Sequence, residues 1–224
     1  MKVKYTGLSE INGPLVVINK VKDVFYDEIV KFSVNGEERK GKVVEVYENK
    51  AVIQVFGGTD SMSAVNTETE FAGETLKIPL SKEILGRVFN GAGNPIDGLG
   101  DVFPDEYRDI NGMPMNPVAR EYPENYINTG ISAIDVMATL IRGQKLPIFS
   151  GNGMPHDNLA AQIVKQAKIG DKDNFAVVFA AMGVKHDVAS FFRKTFEESG
   201  VLQNVVMFLN LANDPVVERI ITPK

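Results

Sequence analysis

Residues 147–163 constrain this chain more than any other stretch. They read Pro147-Ile148-Phe149-Ser150-Gly151-Asn152-Gly153-Met154-Pro155-His156-Asp157-Asn158-Leu159-Ala160-Ala161-Gln162-Ile163. A short apolar strand, a Gly-rich turn and an amphipathic helix in this order outline a phosphate-binding loop. Such a loop needs G-x-x-x-x-G-K-[ST]: backbone N–H groups cradle phosphate, the Lys reaches the terminal phosphates and the hydroxyl meets Mg²⁺. Ser150, Gly151 and Gly153 keep the outline, but the next three chemical positions are replaced. Pro155 has no N–H to give. His156 stands where the Lys belongs and is shorter and mostly neutral near pH 7. Asp157 stands at the Ser/Thr position, where a carboxylate favours the helix dipole and repels an incoming phosphate. Locally two readings fit: the relic of a nucleotide site, or an ordinary strand-to-helix turn with Asp157 capping the helix.

The rest of the chain falls into two patterns. Up to about residue 72 it reads as β structure. Residues 15–18 are a short apolar strand, and residues 28–34 alternate loosely up to Asn35-Gly36, a hairpin signal. Residues 42–47 and 51–56 flank a tight turn at Glu48-Asn49, and Gly57-Gly58 closes the series. Closely spaced short strands of this kind predict a small barrel or meander. Residues 62–79 read as a connector. Residues 85–98 read as a strand and a loop of tight turns, and residues 101–128, rich in Pro, Asn and charge, as irregular chain over the surface.

From Thr129 the pattern is α/β. Ser132 is placed to cap a helix running to about Arg142. Ala160, Ile163, Val164 and Ala167 form an apolar stripe, as do Val188, Phe191, Phe192 and Phe196, the latter ended by Gly200. Residues 175–181 are a continuous apolar run, as expected of a parallel strand buried on both faces, and residues 205–211 read as another buried strand. The expectation is therefore a β-barrel domain at residues 1–72 and a partial parallel-sheet domain at residues 73–224, short of cover on at least one face.

Charge and composition narrow the function. The net charge of −5 gives no support to a nucleic-acid or polybasic membrane surface. Cysteine is absent, which removes disulfides and thiolate metal sites and fits an intracellular protein. His156 and His186 stand far apart in the chain, so no zinc site is expected. The polar N-terminus does not open a secretory signal, and the longest apolar run, residues 175–184, is about half of a bilayer span.

Four groups of residues carry a family resemblance: Leu85-Gly86-Arg87 with Asn94-Pro95-Ile96-Asp97-Gly98; Ser150-Gly151-x-Gly153-x-Pro155-His156 with Leu159-Ala160-Ala161-Gln162; Phe179-Ala180-Ala181-Met182-Gly183; and residues 210–215, Asn-Leu-Ala-Asn-Asp-Pro. In this order they resemble the B subunits of V-type (archaeal and bacterial A/V-type) ATP synthases, and the degenerate loop is characteristic of them. The resemblance decides for the relic. It implies an N-terminal β-barrel, a RecA-like domain of the P-loop NTPase fold, and a helical domain of which this chain has no counterpart. It also implies an alternating ring with catalytic A subunits around central and peripheral stalks, on the cytoplasmic side of a prokaryotic plasma membrane and bound to it only through the complex. ATP or ADP with Mg²⁺ would sit at A/B interfaces, and none would be held by this chain alone. Catalytic relatives carry a glutamate after the Gly matching Gly183; here Val184 cannot take a proton. They follow with Arg where this chain has Lys185. No catalytic residue and no metal ligand is assigned. Asn213, Asp214 and Arg219 are candidates for a subunit interface, with a plain strand end and Pro-initiated turn as the equal alternative. An active P-loop ATPase and an RNA-binding hexamer subunit are the rival classes; the first needs Gly-Lys-Thr at positions 155–157, and the acidic balance opposes the second.

Overall fold

The computed structural model describes residues 4–169 and 175–224. The first part of the chain carries strands β1 (Lys4–Thr6), β2 (Glu10–Asn12), β3 (Leu15–Asn19), β4 (Glu28–Val34), β5 (Glu37–Tyr47), β6 (Lys50–Val55), β7 (Glu68–Thr75) and β8 (Lys77–Leu80). There follow β9 (Val88–Asn90), β10 (Glu106–Asp109), β11 (Tyr126–Ile127), α1 (Ser132–Met137), β12 (Leu140–Ile141), α2 (His156–Gln166), β13 (Val177–Val184), α3 (His186–Glu198), β14 (Val205–Leu211) and α4 (Val216–Ile221). They fold into two units. One takes the chain up to Leu80 with Pro104–Gly112 and Asn213–Lys224; the other takes Ser81–Phe103 and Met113–Ala212. By packing, therefore, three segments beyond residue 72 join the first unit, a grouping that one cut in the chain does not describe.

The first unit is an antiparallel sheet in the order β1-β7-β4-β5-β6-β3-β2. Its two outermost strands, β1 and β2, are neighbours in sequence, joined by Gly7, Leu8 and Ser9 alone. Three residues span about 10 Å at most, so the two edges must meet and the sheet curls on itself. Inward-facing Val16, Ile18, Val30, Phe32, Val43, Ile53, Val55 and Phe71 fill it. Each such side chain contributes about 1.5–3 kcal/mol by leaving water. Phe32 fits because β5 has Gly41 beside it: a Cβ there would lie 3.0 Å from the Phe32 ring and 2.9 Å from the carbonyl of Gln54. The Asn35-Gly36 hairpin forms as expected, both residues having positive φ (52° and 89°).

Residues 62–79 are more than a connector. They contain β7, which pairs with both β1 and β4, and β8, which pairs with β10. Glu68-Thr69-Glu70-Phe71 alternates, with Thr69 and Phe71 buried; the glutamates hide the pattern because they lie on the solvent face. A second small core in this unit places Val217 and Ile221 of α4 against Ile29 and Phe56.

In the second unit, β13, β14 and β9 form a parallel sheet in that order. Phe192 and Phe196 of α3 pack with Ala161 of α2 and with Ala181, Val205, Met207 and Leu209 of the sheet. Phe179 stacks edge-on to Phe196, their centroids 5.2 Å apart. The other face is covered over β14 and β9 by Ile84 and Val102. β14 is thus buried on both faces, as its apolar run predicts. β13 is not: it is the outer strand, and Val178, Ala180 and Met182 face outward, Val178 with 69% exposure.

Two further expectations are corrected. α1 stops at Met137 instead of Arg142, because Leu140 and Ile141 turn into a strand pair with Tyr126 and Ile127. Its N-cap is Ile131, without a side-chain cap, and Ser132 is the first helical residue. The stretch 147–149 forms no strand; Phe149 is 92% exposed. An apolar tripeptide becomes a strand only beside a partner edge, and none pairs with it among the described residues. No described helix is long and apolar enough to cross a membrane.

Candidate functional site: the loop before α2 and its surroundings

Residues 150–156 are exposed throughout. Asn152 and Gly153 occupy the middle of a turn closed by the Met154 amide, which donates to the Gly151 carbonyl at 3.3 Å, with Gly153 at φ 81°. Pro155, at φ −81° and ψ 54°, is the centre of an inverse γ-turn: the His156 amide donates to the Met154 carbonyl at 2.9 Å. Sequence reasoning noted the N–H that Pro155 lacks. It missed that the proline geometry also engages the next one. Two consecutive donor positions at the start of α2 are thereby closed to a phosphate.

The His156 and Asp157 side chains lie side by side, Nε2 to Oδ1 3.6 Å, both partly open to solvent. A carboxylate in the first turn stabilises α2 and opposes an anion at the same place. The donors at positions 155 and 156, the cation and the hydroxyl that a triphosphate with Mg²⁺ requires are not supplied here, so the residues do not fit that group. No group of three or more His, Asp or Glu that could hold a metal ion occurs among the described residues.

The carboxyl ends of β13 and β14 are where open parallel sheets place ligands. There, β13 bulges at Gly183, whose φ is 67°. Buried Asn210 ties the two strand ends, its Oδ1 accepting from the Gly183 amide at 3.3 Å. Val184 follows, packed toward the core, and Lys185 is the N-cap of α3 with no side-chain capping bond. This end of the sheet thus presents an amide tie and an apolar side chain.

Two polar knots brace the second unit. Arg87 and Asp97 form a two-pronged ion pair, Nε to Oδ2 2.5 Å and Nη2 to Oδ1 3.0 Å, with only 11% and 5% of their side chains exposed. Asp97 also accepts from the amides of Val88 and Leu99, and Arg87 donates to the Gly100 carbonyl. The Arg87 guanidinium, with help from the two amides, holds the Asp97 carboxyl well below the usual carboxylate range. Both residues belong to the stretches that carry the family resemblance; their pairing across the Gly-rich loop is not visible in sequence. In the second knot, Asp135 accepts from the amide and hydroxyl of Thr129 and from the Gly130 amide, which lowers its pKa.

Asn213, Asp214 and Arg219 fall in the first unit, around α4. Asn213 is exposed, and Asp214 and Arg219 are half-buried. Beside them Glu218 has its pKa raised, chiefly by burial and then by the Asp214 carboxylate. A hollow in the same unit, lined by Lys4, Lys31, Glu38, Glu68 and Glu70, is already neutralised in part by the pairs Lys4–Glu70 and Lys31–Glu38.

A curled antiparallel sheet followed by a parallel α/β sheet with this loop defines a class, and comparison with known proteins agrees. Residues 8–73 match the β-barrel domain of the ATP synthase alpha/beta family, and residues 130–224 match the nucleotide-binding domain of the same family. The chain belongs to the ATP synthase alpha/beta family. Within it the similarity is to V-type beta chains. The chain is 59% identical to the V-type ATP synthase beta chain 2 of Clostridium tetani, over all of this chain and 50% of that protein. It is 57% identical to the V-type ATP synthase beta chain of Halothermothrix orenii, over 99% of this chain and 48% of that one. It spans about half the length of these relatives.

Proposed function

We propose that this chain is part of a non-catalytic, regulatory B subunit of a V-type rotary ATP synthase or ATPase. In this reading it contributes to the A/B interfaces of a hexameric head, whose turnover of ATP is coupled to proton or sodium transport. ATP or ADP with Mg²⁺ is then held at those interfaces by the complex, chiefly by A subunits. The central and peripheral stalks are further partners, and the subunit reaches the cytoplasmic face of the membrane only through the assembly. Asn213, Asp214 and Arg219 are the proposed interface residues.

The observation that carries the reading is the loop itself: Pro155 has no N–H and the His156 N–H is spent on Met154. Val184, in the place where catalytic relatives have glutamate, supports it.

The test is Mg-ATP titration of the chain with thermal unfolding as readout. A functioning site would add about 3 kcal/mol at a hundredfold excess over Kd. No stabilisation is expected at millimolar Mg-ATP. The triple variant Pro155→Gly, His156→Lys, Asp157→Thr is expected to gain phosphate or ATP affinity. Equal binding by parent and variant would overturn the reading.

A further inference from the structure

Asn12, Asn35, Asn90, Asn111 and Asn152 are each followed by glycine. An Asn-Gly step can cyclise: the glycine amide nitrogen attacks the asparagine Cγ, with no Cβ on the glycine to hinder the approach. The new N–Cγ bond closes a succinimide, the Cγ–Nδ2 bond breaks, and ammonia leaves with the proton from the glycine nitrogen. Water then opens the ring at either carbonyl, giving aspartate or isoaspartate. The step needs only water, a free glycine N–H, and rotation of the asparagine ψ to bring that nitrogen against Cγ. The fold grants these conditions unequally.

Asn12 lies in β2, paired with Leu15. Asn35 heads the β4–β5 hairpin, clamped by the Val34–Glu37 pair. Asn90 is held in β9 opposite Leu209, and its Oδ1 accepts from the amides of Ala92 and Asn94. At Asn111 the nucleophile is engaged, since the Gly112 amide donates to the Asp109 carbonyl at 3.1 Å. The Asn111 Oδ1 also accepts from Lys224 at 3.0 Å. Asn152 differs. Like Asn12 and Asn35 it is exposed, and among the described residues neither its side chain nor the following glycine amide is hydrogen-bonded; but it lies in no strand, no ladder pair clamps it, and the turn around it is closed by the single 3.3 Å bond from Met154 to Gly151.

We infer that Asn152-Gly153 is the deamidation site of this protein, a water-driven modification centre set in the loop ahead of α2. Conversion puts a new carboxylate three residues before Pro155. Where isoaspartate forms, the main chain also gains a methylene within the turn. The inference stands apart from the proposed function, since it needs no nucleotide and no partner.

The experiment incubates the whole chain in mildly alkaline buffer, then quantifies each Asn-Gly peptide by mass spectrometry and labels isoaspartate with an isoaspartyl methyltransferase and a radioactive methyl donor. Asn152 is expected to convert about tenfold faster than each of the others, the factor that goes with one or two ladder hydrogen bonds to be broken first. In urea, where the same dipeptide is equally free at each place, the difference is expected to collapse. Gly153→Ala, whose added Cβ meets nothing within 4 Å but is strained by the φ of 81°, is expected to slow conversion at position 152, and Asn152→Gln, which leaves that backbone untouched, to remove most of the methyl label. Conversion of any other site as fast as Asn152 in the native chain overturns the inference. So does an unchanged ranking in urea, or label that survives Asn152→Gln.

Discussion

Arg87 and Asp97 meet through two parallel hydrogen bonds across the Gly-rich loop that follows β9, with both side chains almost out of solvent. Removing one partner strands the other charge. Asp97→Ala is expected to cost about 3–5 kcal/mol in urea unfolding, while a paired apolar replacement at both positions costs less. Because the folded Asp97 pKa is depressed, its contribution is present above the unfolded value near 3.9 and is lost as pH falls toward the folded one. Wild type and Asp97→Asn should therefore converge in stability below about pH 4.

Glu218 has the opposite sign. Its folded pKa is raised, so the folded chain binds its proton more readily and stability falls as pH rises through that window. Glu218→Gln should flatten the unfolding curve from about pH 4 upward, with the gain at neutral pH. A slope unchanged by the substitution would contradict the burial of this carboxyl.

Gly41→Ala tests the barrel interior. The added methyl would press on the Phe32 ring and the Gln54 carbonyl, and overpacking of this kind costs about 1–3 kcal/mol. Phe196→Ala tests the other unit, where the ring is fully buried, at about 3–5 kcal/mol. Chemical unfolding of each variant gives the numbers.

β13 offers an outer edge and outward Val178 with no charge along Val177–Val184. Uncharged edges pair with further strands. Sedimentation at high concentration should show self-association of the chain, reduced by Val178→Lys. A monomer that binds no apolar dye would contradict it.

Limited proteolysis should begin within residues 101–128. Residues 112–126 are exposed without interruption, Val118, Arg120 and Tyr122 among them. First cleavage inside β14 would be inconsistent with its burial on both faces.

Strands whose apolar residues face a core from both sides were legible, β14 being the clearest. So was α3, where aromatic spacing and Gly200 mark both the face and the end. What escaped was β7, whose glutamates line the wet face, and the fate of residues 147–149, which depends on a partner edge that no local pattern encodes. At the loop, residue identities disclosed the missing Lys and Thr. The γ-turn that engages the His156 amide follows from the Pro155 backbone angles, and the Arg87–Asp97 pair from a loop closure spanning ten residues. Both are matters of geometry that one-dimensional spacing does not hold.

The closure of the barrel also sets a timetable for its making. β2 can pair with β3 as soon as both have left the ribosome. β1, the first strand described, has β7 as its partner, and β7 ends at Thr75. The leading strand must therefore wait, unpaired, through the synthesis of some sixty residues, and only the arrival of Glu68, Thr69 and Glu70 lets the ring shut.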